Sequence, residues 1–338
     1  MVSLRVYILT RVLLTIPMII ILLTIVFLVL RVMPGDPVFT IVGMHAPQHL
    51  VDSMRAELGL DKPLFLQYID YLYNILIRGN FGNSIIWGRR PVIVEIWEHF
   101  PATVELTTTG TIISVVVGLF TGTYSATKRN RLVDHSLRLY GIVIYALFIP
   151  WFGMMLQMAL GVYLKWLPVY GRIDPYMAPE TITGLFVLDS ILTLNLPSLL
   201  NSIAHLMLPS ITLGLVLSGV FTRLTRTNML EVLRQDFVTA ARARGLPERL
   251  VVYRHALKNA FIPILTMIGL QFALLLAGAI LTESTFSWPG MGRYLIERIY
   301  YRDFPSVQGI VVFYAMLVAA ISIVVDVIYS YIDPRIRY

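Results

Sequence analysis

Few side chains in this sequence could do chemistry, and their spacing decides against most of it. His45 and His49 stand four apart, a spacing that can bind metal on a helix. Pro47 lies between them and no third ligand is near, so no metal is expected. Ser84 and His99 show no spacing that marks a nucleophile and its base. The lysines are Lys62, Lys128, Lys165 and Lys258. None follows a glycine, so the G-K-[ST] loop that cradles nucleotide phosphates is missing. The chain has no cysteine, hence no disulfide framework and no thiolate metal site. Neither a catalytic residue nor a cofactor is expected. Polar groups in apolar surroundings remain: Glu105 and Asp326 near the ends of apolar runs, Asn259 and Gln271 in another. Ionisable groups so placed point by default to function. Pairing with an arginine is the plainer alternative, Arg138 lying level with Asp326.

These residues are positioned by a hydrophobic framework. Of 338 residues, 57% are hydrophobic and 14% charged, against about 25% charged in a soluble domain. Mean hydropathy is +0.73. A bilayer core takes ~20 apolar residues per helix. Runs 12–30, 106–127, 139–164, 206–222, 259–282 and 304–325 lack acids and bases, the fourth being shortest. The fold expected is an all-α polytopic membrane protein with six transmembrane helices and cytoplasmic N- and C-termini. Residues 181–204 are broken by Asp189, Asn195 and Pro197 and read as a short external or interfacial helix, with a seventh span as the alternative. The first run is longer than a signal-peptide core and has no A-x-A site after it, so it reads as a retained anchor.

Charge sets the orientation. Arg5, Arg11, Lys128, Arg129, Arg131, Arg138, the cations of 223–258, Arg335 and Arg337 fall on one side. The acids on that side are Asp134, Glu231, Asp236, Glu248 and Asp333. Cation enrichment marks the cytoplasmic face. The net charge of +7 is thus a topology signal, and no nucleic-acid partner is expected despite a pI of 9.6. The connection 32–101 lies outside. Residues 1–101 read as an anchor helix with an extracytoplasmic region, and 102–333 as the membrane core.

The stretch FVTAARARGLPERLVVYRHALKNAFIPILT at 237–266 then sits in the cytoplasm. Leu230, Leu233, Phe237, Ala240 and Ala241 mark one helical face. Gly245 breaks the pattern as a glycine after a helix does. Pro247 suits the first position of a new helix and Glu248 its first turn. Leu246, Leu250, Tyr253 and Leu257 mark the second helix. Ala240 and Ala241 leave one side bare enough for another surface to approach. The alternative is an interfacial helix pair whose arginines meet anionic lipid. Small residues recur every four positions at Gly110, Ser114, Gly118, Gly122 and Ala126, at Ser210, Gly214, Ser218 and Thr222, and at Gly269, Ala273 and Ala277. Such ladders let helices pack closely in lipid, either within one chain or between two. Pro150, Pro209 and Pro263 can kink or end the spans.

TAARARG, nine residues, then HAL resembles the EAA loop of ABC importer permeases. Thr239 stands for the Glu, Ala240, Ala241 and Gly245 match, His255 replaces Ile, Leu257 matches and Lys258 replaces Pro. MPGDP (33–37), ELGLDKPLFLQY (57–68), GNFGNS (79–84), HLMLPSITLGL (205–215), RLTRTNMLEVLRQDF (223–237), ESTFSWPGMGRYL (283–295), RDFPSVQG (302–309) and IDPRIRY (332–338) resemble the dipeptide/oligopeptide branch. The resemblance implies a type I importer, MetI-like fold with a coupling loop at 223–260. It implies an ATP-driven, binding-protein-dependent importer of peptides, or of oligosaccharides or nickel, in the cell (inner) membrane. Thr239, Ala240, Ala241, Arg242, Arg244, Gly245, His255 and Leu257 would meet an ATPase, and Asn259 and Gln271 would line the pathway. Partners would be a second homologous permease in a heterodimer, two cytosolic ATP-binding subunits, a solute-binding protein and the lipid bilayer. A self-sufficient secondary transporter or intramembrane hydrolase is the other class. It calls for inverted repeats with broken helices or a nucleophile site within the spans.

Overall fold

The computed structural model describes residues 4–32, 38, 46–57, 60–86 and 89–332. Among them the chain is helical, with one isolated antiparallel bridge between Asn83 and Pro91 and no strand. Helix α1 is Leu4–Val32, α2 Gln48–Glu57 and α3 Leu64–Leu76. Then come α4 Val92–Thr127, α5 Leu132–Ala146, α6 Ile149–Leu156 with a π turn Gln157–Tyr163, and α7 Phe186–Leu192. Helix α8 is Leu196–Val232 and α9 is Asp236–Ala243. A turn Glu248–Leu250 and a π turn Val251–Ala256 run directly into α10, Leu257–Gly278. The chain continues through α11 Ile280–Thr285, α12 Met291–Tyr300 and α13 Phe304–Ile332.

The expected apolar runs fall on helices, with 139–164 divided between two of them, and the helices are not six equal spans. Val92–Thr127, Leu196–Val232, Glu248–Leu276 and Phe304–Val325 are long and apolar enough to cross a bilayer. Helix α5 and the α6 segment together qualify as a fifth, bent by 102° at their junction. Pro150 at the start of α6 fits that break, since it cannot donate to the preceding turn. Leu13–Val29 within α1 is a shorter apolar helix. The expected short fourth run, 206–222, extends to 37 residues as α8. Residues 181–204 form neither one helix nor a span. They divide into α7 and the first turns of α8, where Asn195 caps the helix by accepting from the Ser198 N–H at 3.1 Å. The expected boundary at 101/102 falls inside α4, which continues through Pro101. At 36 residues, α4 is about 54 Å long, so its ends stand beyond a hydrocarbon core of about 30 Å.

The core of the bundle is α4 against α8. A Cβ built on Gly110 would lie 2.9 Å from Leu213, and one on Gly122 2.6 Å from Thr225. A Cβ on Gly118 would overlap Phe221. These three pairs keep one constant offset along the chain, so α4 and α8 run parallel and in register. Thr109 to Ser210 at 2.6 Å and Thr121 to Thr222 at 2.7 Å add hydroxyl contacts along the seam. The ladders of α4 and α8 are therefore packing within one chain, and Gly269 likewise packs against Val325 of α13. Helix α5 runs antiparallel to α8, with Gly141 against the Gly219 carbonyl and the Tyr140 hydroxyl 2.8 Å from Ser218.

Candidate functional site

The helix pair stands at the end of the bundle where α4 and α8 finish and α10 begins. Asp236 lies in the first turn of α9 and Arg242 in its last, each complementing the helix dipole. Two bonds close α9: Gly245 N–H to the Arg242 carbonyl at 2.9 Å and Leu246 N–H to the Ala241 carbonyl at 3.4 Å. This is the Schellman pattern, and it requires Gly245 at φ +74°. Pro247 takes the capping position rather than the first helical one, and Glu248 begins the next turn. Across the bend, Arg242 donates through Nε and Nη2 to both Glu248 oxygens, at 3.1 and 2.7 Å. The bend is thus held by backbone bonds and a forked ion pair.

A small core grips the pair to the bundle. Val238 and Ala241 of α9 are buried with Ala126 of α4, Met229 and Val232 of α8, and Val251, Val252, Ala256 and Ala260 leading into α10. Leu230, Leu233, Leu246 and Leu257 pack on its edge. Two sequence expectations change here. The single face through Leu230, Leu233, Phe237, Ala240 and Ala241 is interrupted, because α8 ends at Val232 and the chain turns before α9. Ala241 points into this core and is not part of a bare outer side. The open side carries Phe237, Thr239, Ala240, Arg244, Gly245, Tyr253 and Arg254. Arg242 is exposed but committed to Glu248, and His255 is half-buried.

The expected pathway residues do not share a face. Asn259 is exposed and donates back to the His255 carbonyl at 2.8 Å. Gln271 lies twelve positions on and half-buried, roughly a third of a turn round the helix at 100° per residue. A buried ion pair ties α5 into the same end. Asp134 accepts from Arg226 Nε at 2.7 Å and Nη2 at 2.9 Å, from Ser125 Oγ at 2.6 Å and from the Asn130 N–H at 3.0 Å. Arg226 was not singled out in the sequence. The Asp326 side chain lies outside the described residues.

Four buried carboxylates organise the opposite end. Glu105 accepts from Arg172 Nε at 2.9 Å and from the Val187 N–H at 2.8 Å, and Arg172 also reaches the Gly184 carbonyl. The guanidinium lies 3.9 Å from the Phe186 ring centre. Glu105 is therefore internally paired and anchors the 164–187 connection to α4. Glu283 accepts from Thr103 Oγ1 at 2.6 Å and from the Gly292 and Arg293 N–H groups at 2.7 and 3.0 Å, capping α12. Gly290 has no room for a Cβ beside that carboxylate. Glu95 accepts from the Tyr294 hydroxyl and from Arg298 Nη2. Nearby, Asp303 accepts from Ser84 Oγ at 2.6 Å and Ser306 Oγ at 2.7 Å. So GNFGNS, ESTFSWPGMGRYL and RDFPSVQG, far apart in sequence, meet in space. Ser84 serves Asp303, and His99 stacks on Tyr294 with centroids 4.5 Å apart. They form no nucleophile–base pair. His49 is exposed on α2, and His45 lies outside the described residues. Among the described residues no three ligands gather for a metal.

Comparison with known proteins supplies the family. Residues 114–338 match the binding-protein-dependent transport system inner membrane component family, and 4–107 match the N-terminal part of that component. The dipeptide transport system permease protein DppB of Alkalihalophilus pseudofirmus is 40% identical over 98% of this chain and 99% of its own. The di/tripeptide transport system permease protein DppB of Pseudomonas aeruginosa is 44% identical over 92% and 93%. The glutathione transport system permease protein GsiC of Salmonella choleraesuis is 38% identical over 98% and 99%.

Proposed function

From the premise that the chain belongs to the binding-protein-dependent transport system inner membrane component family, we propose that it is the permease subunit of an ATP-driven peptide importer, coupled to cytosolic ATPases through the helix pair 236–256. It crosses the cell membrane six times, with the helix pair and both termini in the cytoplasm. Relatives named for dipeptide, di/tripeptide and glutathione transport favour short peptides as the solute. A second, homologous permease would complete the pathway, and a solute-binding protein would deliver the peptide.

The observation that carries this reading is the architecture of the pair. Its inner side is fused to α4, α8 and α10 by one buried cluster, while its outer side is open. Small residues at Ala240 and Gly245 leave that side low, with Phe237 and Tyr253 at its edges and Arg244 and Arg254 beside them. A protein that moved this block would move three spans together, because packed interiors transmit displacement rather than absorb it. Closure of an ATPase dimer would therefore alter the bundle without any flexible linkage.

Cross-linking tests the docking side, and the lack of cysteine in this sequence leaves no background from this subunit. In the purified complex, Ala240→Cys and Arg244→Cys are expected to form adducts with the ATPase. Ser136→Cys, exposed on α5 at the same end, is expected to form none. A complex that retains its ATPase but cross-links only through Ser136→Cys would overturn the assignment.

A further inference from the structure

Helix α3 divides into three stripes. Tyr68, Tyr71, Leu72 and Ile75 face the protein. The Tyr68 hydroxyl lies 2.6 Å from Thr24 Oγ1 of α1. Phe27 of α1 packs its ring 5.3 Å from Tyr68 and 5.5 Å from Tyr71. Ile75 is buried with Leu23 of α1 and Val312 of α13. Gln67, Asp70 and Asn74 form a second, polar stripe; Gln67 donates to the Leu60 and Lys62 carbonyls, and Asp70 pairs with Lys62 at 2.6 Å. Between these lies an apolar arc of roughly 120° at 100° per residue. It comprises Phe65, Leu66, Ile69, Tyr73, Leu76 and Ile77, all exposed, with Phe65 at 70% and Ile77 at 71%. A water-facing helix needs only two stripes, polar out and apolar in. The third demands an apolar neighbour.

We infer that α3 lies in the outer boundary of the lipid bilayer, its Phe65–Ile77 arc against acyl chains and its Asp70–Asn74 stripe toward water. Depth supports this occupant. Leu23 stands nine residues before the end of α1 at Val32, about 13 Å along the axis, yet it touches Ile75 of α3 through the shared cluster. A helix packed at that level lies beside hydrocarbon. The arc also continues the apolar surface of α1, where Ile21, Ile25 and Leu28 are exposed. At the C-terminal end Arg78 sets its guanidinium 5.0 Å from the Tyr73 ring centre, which pairs the cation with a ring face. Helix α3 is thus a membrane-bound float, and Asn80 through Ser84 leave it for the Asp303 cluster. The inference rests on α1 and α13 crossing the bilayer.

Single cysteines carrying an environment-sensitive fluorophore test it in full-length protein reconstituted in vesicles of phosphatidylethanolamine and phosphatidylglycerol. Labels at Phe65→Cys, Ile69→Cys and Leu76→Cys are expected to emit at shorter wavelength and lose emission to brominated acyl chains, but not to aqueous iodide. A label at Asp61→Cys is expected to do the reverse. Ile21→Cys on α1 is the control. Should it fail to report lipid, the spanning assignment itself fails. If Ile21→Cys reports lipid while the α3 labels are quenched by iodide, the arc faces water or a soluble partner. If the α3 labels resist both quenchers, another protein covers them. Either result overturns the inference.

Discussion

At the level of single residues, three positions separate docking from folding. Ala240 is exposed and Ala241 is buried, though they are neighbours. Ala240→Glu is expected to leave the thermal unfolding of the protein unchanged and to abolish co-purification of the ATPase. Ala241→Glu puts an unpaired charge into the cluster, a cost of several kcal/mol, and is expected to lower the unfolding temperature as well. Equal unfolding temperatures for the two would contradict the burial argument. Gly245→Ala meets no neighbouring atom within 4 Å, so its cost is the left-handed backbone alone, about 1–2 kcal/mol. Asp189 makes a pH prediction. Burial would raise its pKa, but bonds from the Thr183 hydroxyl and N–H, and from the Ile182 and Gly184 N–H groups, outweigh that and hold it below the ordinary value. A lowered folded pKa means the stabilisation is complete above the unfolded pKa of about 3.9 and fades as pH falls toward the folded value. Amide exchange at Ile182, Thr183 and Gly184 is therefore expected to accelerate below that pH, and to be fast at every pH in Asp189→Asn.

At the level of elements, the α4–α8 seam makes the sharpest demand. Gly118→Val would drive a branched side chain into Phe221 and its backbone, and overpacking of this kind costs about 1–3 kcal/mol or more. The expected outcome is loss of folded protein in detergent, read by size-exclusion chromatography. A normal monodisperse yield would contradict the parallel seam. The buried Glu105–Arg172 ion pair gives a second test: Glu105→Gln leaves Arg172 buried without its charge partner, a loss of about 3–5 kcal/mol. The apolar runs were legible in the sequence because hydropathy depends only on local composition. The four-residue ladders showed that something packs closely, but not what. Their partner is fixed by the constant offset between Gly110, Gly118 and Gly122 and the residues of α8, a tertiary property. Gly245 was legible because a left-handed turn leaves its mark on one residue. The direction of Ala241 was not, because the chain turns at 233–235 and resets the helical phase. Nor was the meeting of Ser84 with Asp303, which requires distant loops to converge.

At the level of the whole molecule, the two ends of the bundle are built differently. One end is a web of buried carboxylates, Glu95, Glu105, Glu283 and Asp303, that fixes the connections at that end to α4 and α12. The other is a basic helix pair with a packed inner side and an open outer side. That asymmetry suits a machine driven from one face. The direct test is uptake of a labelled dipeptide into proteoliposomes that carry the complete complex, with ion gradients collapsed and ATP supplied on the ATPase side. The account predicts uptake that requires ATP and disappears with Ala240→Glu. Uptake by this chain alone, driven by an ion gradient and indifferent to ATP, would contradict it.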